Sequence, residues 1–211
     1  MLIEPVARGA TFVGRVQVLA ANAALTHTMA LLSALGFLLL LFGFLALRRV
    51  VSGESAESAE SAVPGFGLLL LAFAVILFAA SGGMNHIIAH IINHGGEDRS
   101  LRTLLTTAVN VQAVKAGIVI IGGYGYLLGF ACIALALSRV FPSGFHKMLA
   151  LLVLLICLVA LVLLLIGDHF HNLTTFYAVA ERAVIPLNLW AIVLGVAMYQ
   201  GHPSLTPAQS D

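Results

Sequence analysis

An all-α bundle of five transmembrane helices is the fold class this sequence predicts, on two observations. Of 211 residues, 61% are hydrophobic and only 9% charged, with a mean hydropathy of +1.06, whereas a soluble domain carries about a quarter charged residues. The apolar runs also approach the roughly 20 residues that cross a hydrocarbon core of about 30 Å. The lipid bilayer is therefore the chain's principal partner, and a single polytopic, multi-pass transmembrane domain, 1–211, accounts for its whole length.

The first span covers 16–47 and ends at Arg48 and Arg49. Ahead of it, MLIEPVARGATFVGR lacks the apolar core of a signal peptide, so the expectation is a retained N-terminus with the first span as signal anchor. Residues 48–65 follow as a flexible acidic loop with an ESA repeat and Pro64, the composition of a solvated surface connection. The second span, 66–94, is apolar to Ala80 and then passes SGGMNHIIAHIINH. The third, 108–139, carries Gly117, Gly122, Gly123, Gly125 and Gly129, a small-residue stripe suited to close helix packing. A sixth pass would arise if the stretch after Arg99 crossed or re-entered the membrane by itself. Phe141-Pro142-Ser143-Gly144 makes a tight turn into the fourth span, 147–167. The fifth, 173–200, holds Pro186 as a kink point and Trp190 and Tyr199 as interfacial anchors. Residues 202–211 form a C-terminal tail.

A net charge of +1 with scattered basic residues excludes the one-sided footprint of a nucleic-acid binder. Cys132 and Cys157 fall inside apolar runs, where cysteine behaves as a small hydrophobe.

Five spans alternate in direction, so the start of the first, the end of the second, the start of the third, the end of the fourth and the start of the fifth share one membrane face. That alternation brings together His27, then Asn85, His86, His90, Asn93 and His94, then Gln112 and Lys115, and finally Asp168, His169, His171 and Glu181. His146 and His202 fall on the other face. Because i, i+4 and i+8 positions form one stripe on a helix, His86, His90 and His94 face the same neighbours.

Imidazole is the commonest metal ligand, and carboxylates complete or orient such sites. The set predicts a transition metal (Fe, Cu or Zn) or haem b, held by His86, His90, His94, His169 and His171 with Asp168 and Glu181, and with His27 as a further cofactor ligand. Redox chemistry or electron transfer, as in a membrane metal- or haem-dependent oxidoreductase, would follow. Two other readings stand beside it: unmetallated histidines that handle a proton, substrate or partner in a non-enzymatic subunit or small transporter, and a merely polar helix exit. Other membrane subunits or a homo-oligomer are compatible with all three.

The HxxxH spacing resembles membrane hydroxylases and desaturases, but their HxxHH boxes are missing, as are HExxH, GxSxG and a phosphate-binding loop. Lys115 sits at a span entrance, too shallow for a retinal linkage and placed to snorkel. Six basic residues on the histidine face (Arg8, Arg15, Arg99, Arg102, Lys115, Arg182) against four on the other (Arg48, Arg49, Arg139, Lys147) turn the histidine face toward the cytoplasm. The expected location is a bacterial or archaeal cytoplasmic membrane.

From about Leu128 onward, LLGFACIALALSRVFPSGFHKMLALL and AERAVIPLNLWAIVLGVAMYQG resemble the C-terminal spans of a bacterial multi-span membrane family of unknown function. The shared elements are a Leu-Gly-rich span, a Phe-Pro turn, and a glutamate, here Glu181, shortly before a Leu-Trp span. That family's usual pattern lacks these histidines and has an additional span, so the resemblance implies architecture and no activity.

Overall fold

A computed structural model describes residues 12–52, 62–94, 100–141, 143–169 and 173–201. Among them six helices follow in order: α1 (Phe12–Ala21), α2 (Ala23–Ser52), α3 (Ala62–His94), α4 (Leu101–Val140), α5 (Phe145–His169) and α6 (Leu173–Tyr199). Five are long and apolar enough to cross a membrane, over Ala23–Arg48, Ala62–His94, Leu101–Val140, Phe145–Gly167 and Arg182–Tyr199. The protein is thus an all-α, polytopic membrane protein.

The helix ends differ from the sequence expectation for local chemical reasons. The first segment divides at Asn22, whose Nδ2 donates to the Val18 carbonyl at 3.0 Å while its backbone N–H donates to the same oxygen at 3.1 Å. Such side-chain competition for a backbone acceptor is why asparagine interrupts helices. α3 begins four residues before the expected Phe66 and takes in Pro64, which the first turn tolerates because its N–H would lack a helical partner anyway. α4 begins at Leu101, capped by Ser100, whose Oγ accepts from the Thr103 backbone N–H at 3.3 Å. Thr106 and Thr107 hydroxyls then donate to the carbonyls of Arg102 and Thr103. The polar lead-in is therefore the first part of α4, and the separate sixth pass does not form.

Contacts group the chain into two units: residues through Leu38 with Ala74–Gly122, and Leu39–Phe73 with Gly123 onward. α1 belongs to the first, α5 and α6 to the second, and α2, α3 and α4 contribute a part to each.

In the first unit, Val16 and Leu19 of α1, Ile88 of α3 and Ala108 of α4 form a buried cluster flanked by Ile91, Ile92, Leu105 and Val109. Asn93 Nδ2 donates at 2.9 Å to the Ala20 carbonyl, one of the acceptors that the end of α1 leaves without a helical donor. A Cβ at Gly122 would lie 2.9 Å from the Phe78 ring, so the stripe glycine there permits close approach of α3 and α4.

The second unit is closed by a glycine pair and an aromatic core. A Cβ at Gly129 would lie 2.9 Å from the Gly67 carbonyl oxygen and 2.7 Å from Leu71, so these backbones meet where only hydrogen fits. Gly117 has nothing within 4 Å of such a Cβ, so the stripe does not serve packing throughout. Phe130 meets Phe44 edge-on at 5.3 Å, Tyr126 at 4.7 Å and Trp190 at 6.1 Å. Trp190 is only 3% exposed, which overturns its expected place as an interfacial anchor, whereas Tyr199 is 94% exposed at the end of α6. At the α4–α5 turn Gly144 has φ +153°, a conformation essentially reserved for glycine.

Candidate histidine site

α3 is apolar through Ala80, and its last turns carry three histidines at four-residue spacing. His86 lies roughly 36 Å along the helix from Ala62, at about 1.5 Å per residue, so this row begins where a hydrocarbon core of about 30 Å has been crossed. The rings form a continuous series: His27 of α2 lies 4.0 Å from His86 between centroids, His86 6.4 Å from His90 with nearly parallel planes, and His90 5.2 Å from His94. His86, His90 and His94 are exposed, and His27 is half-buried with its Nε2 enclosed and without a hydrogen-bond partner among the described residues.

Behind this row the first unit buries further polar groups. Gln112 is 1% exposed and Lys115 5%, so Lys115 is interior and does not snorkel from a span entrance as the sequence suggested. Leu77 and Phe78 meet Gly122 while Ile88 packs with Ala108, so α3 and α4 run antiparallel. Counting along both helices at about 1.5 Å per residue puts Asn85 level with Lys115, and Ile88 level with Gln112. His27, Asn85, His86, Gln112 and Lys115 thus make one polar layer drawn from α2, α3 and α4. Asn85 Oδ1 and Gln112 Oε1 are both enclosed and have no hydrogen-bond partner among the described residues. Leaving such an acceptor unsatisfied costs about 1–3 kcal/mol, so these atoms call for a donor. Sequence reasoning placed Asn85 and Gln112 on this face, but inward direction is set by packing and left no mark in the pattern.

The remaining predicted residues do not join this row. His169 is the exposed last residue of α5, Asp168 precedes it, and Glu181 belongs to α6, all in the second unit. His171 lies outside the described residues. Among the described residues no group of three or more His, Cys, Asp or Glu comes together to hold a metal ion. Three protein donors are the usual minimum for a zinc site, so the residues described do not by themselves fit a closed Fe, Cu or Zn centre.

Fold and side chains together define a helical, multi-pass integral membrane protein with a row of imidazoles at one end of two helices. No protein-family model, curated protein or solved structure matches the chain.

Proposed function

We propose that this membrane protein is a non-enzymatic subunit or small transporter that handles protons through His94, His90, His86 and His27. The observation that carries the reading is the unbroken ring series of 5.2, 6.4 and 4.0 Å across two helices. An imidazole with an ordinary pKa of about 6.5 both takes up and releases a proton near neutrality, and rings this close exchange one directly or through a single water. Ionisable groups at membrane spans are costly and recur in proton relays. Asn85 Oδ1 and Gln112 Oε1 offer acceptors to waters that would carry the path inward.

Reconstitution into liposomes holding a pH-sensitive dye, with a potassium gradient and valinomycin as driving force, tests this. The expected result is proton flux above that of empty vesicles, falling to the empty-vesicle rate in His86→Ala and His90→Ala. Flux equal to empty vesicles, or unchanged in both variants, rejects the reading.

A second reading, a transition-metal or haem b site supporting redox chemistry, is favoured by the i, i+4 spacing of three imidazoles joined by one from another helix. It predicts stoichiometric Fe, Cu or Zn by elemental analysis, or a Soret band, in protein purified without chelators. Their absence from a folded sample removes it.

A further inference from the structure

The histidine row leaves unused a cleft in the second unit, where the end of α2, the first turns of α3 and the end of α4 converge. The cleft is half open, has a volume of about 260 Å³, and is lined by Phe44, Leu47, Leu68, Ile133 and Leu137 with Arg48 as its only charged group. All five apolar residues are buried, none more than 6% exposed, while Arg48 is exposed. The pocket is therefore a greasy slot with one cation at its mouth.

Arg48 is the last residue of the first membrane span, which puts it at headgroup depth. Its guanidinium lies over the first turns of α3, where Gly65 leaves room: a Cβ there would be 3.6 Å from Nη2. Among the described residues Arg48 has no ion pair or hydrogen bond. A guanidinium at an interface pairs readily with phosphate through a bidentate fork, and the stem of the side chain covers apolar surface while the head stays at the polar boundary. An isolated cation above an apolar slot complements a molecule with a negative head and a hydrocarbon tail, and the bilayer supplies such molecules at this depth.

We propose that this cleft is a binding site for an anionic phospholipid, with the headgroup phosphate on Arg48 and the upper part of one acyl chain against Phe44, Leu68 and Ile133. Charge complementarity selects the lipid class. The slot alone would accept any acyl chain, and the arginine adds preference for a head with net negative charge. The proposal stands independently of any proton traffic, because every residue in it belongs to the second unit.

Native mass spectrometry of the full chain in mild detergent, titrated with dioleoyl phosphatidylglycerol or dioleoyl phosphatidylcholine at low ionic strength, tests it. Retention of phosphatidylglycerol is expected to exceed that of phosphatidylcholine by about fivefold, the effect of one basic group near an anionic surface. Arg48→Gln should make the two lipids equal, Arg48→Lys should keep most of the preference, and Arg139→Gln, outside the cleft lining, should leave it intact. Circular dichroism confirms that each variant is folded. Equal retention by the unmodified protein overturns the proposal, as it would if the carboxylates of the ESAESAES linker occupied Arg48 instead. Preference that survives Arg48→Gln but disappears in Arg139→Gln overturns it as well, by moving the headgroup elsewhere.

Discussion

In the second unit the enclosed side chains are Phe44, Tyr126, Phe130 and Trp190, and the Tyr126 hydroxyl donates at 2.8 Å to Asn188 Oδ1, a partner 62 residues away. In the first unit His27, Asn85, Gln112 and Lys115 occupy the comparable interior, and three of their polar atoms have no partner among the described residues. Both interiors are built from the same long helices, so neither backbone nor hydropathy separates them. What separates them is how hydrogen bonding is closed: by ring packing and one long-range bond in the second, and by nothing yet in place in the first. Even the aromatic core has one exception, the enclosed Trp190 Nε1, which lacks a partner among the described residues. A protein that leaves several acceptors open in one region and almost closes the other has divided packing from chemistry.

Substitutions can break that contrast. Trp190→Ala should be the most damaging, by about 3–5 kcal/mol, because it removes the largest ring of the aromatic core. Unfolding of the detergent-solubilised protein, followed by far-ultraviolet circular dichroism, reads the loss. An effect below about 1 kcal/mol would mean that the second unit does not depend on ring packing. Tyr126→Phe should cost about 1 kcal/mol in the same measurement, since it deletes one hydrogen bond and leaves Asn188 Oδ1 open. Gln112→Leu should be the smallest, within about 0.5 kcal/mol of the parent or more stable, because an apolar isostere removes an acceptor that lacks a partner. The same variant should slow proton flux in liposomes. A large loss of stability from Gln112→Leu would show that its amide is a structural strut and erase the distinction between the units.

The helices were legible because apolar runs bounded by polar turns are what a bilayer requires of a sequence. Their ends were less so: one asparagine amide at position 22 and one serine cap at position 100 move boundaries by several residues without changing the hydropathy profile. The spacing of His86, His90 and His94 is a local, periodic property and could be read directly. Counting spans placed His27 on the same face, and the rings of His27 and His86 meet at 4.0 Å. Burial was the illegible part. Lys115 and Trp190 both look like boundary residues by type, yet each is turned inward by neighbours more than 25 positions distant, such as Leu77 and Phe78 on Gly122 one turn or two from Lys115, and Phe44 on Trp190. His169, Asp168 and Glu181 illustrate the complementary limit: alternation of helix direction assigns a face, and the grouping of contacts into two units is a finer property than a face.

Trp190 has a practical consequence that concerns light. It is the chain's single tryptophan, and it lies deep among Phe44 and Phe130. Indole fluorescence from the unlabelled protein therefore originates from one unit alone. Emission should be blue-shifted and shielded from aqueous quenchers while that unit is folded, and it should move to the red as that unit opens. The histidine-bearing unit is dark by comparison, so a single spectrum follows one half of the molecule without interference from the other.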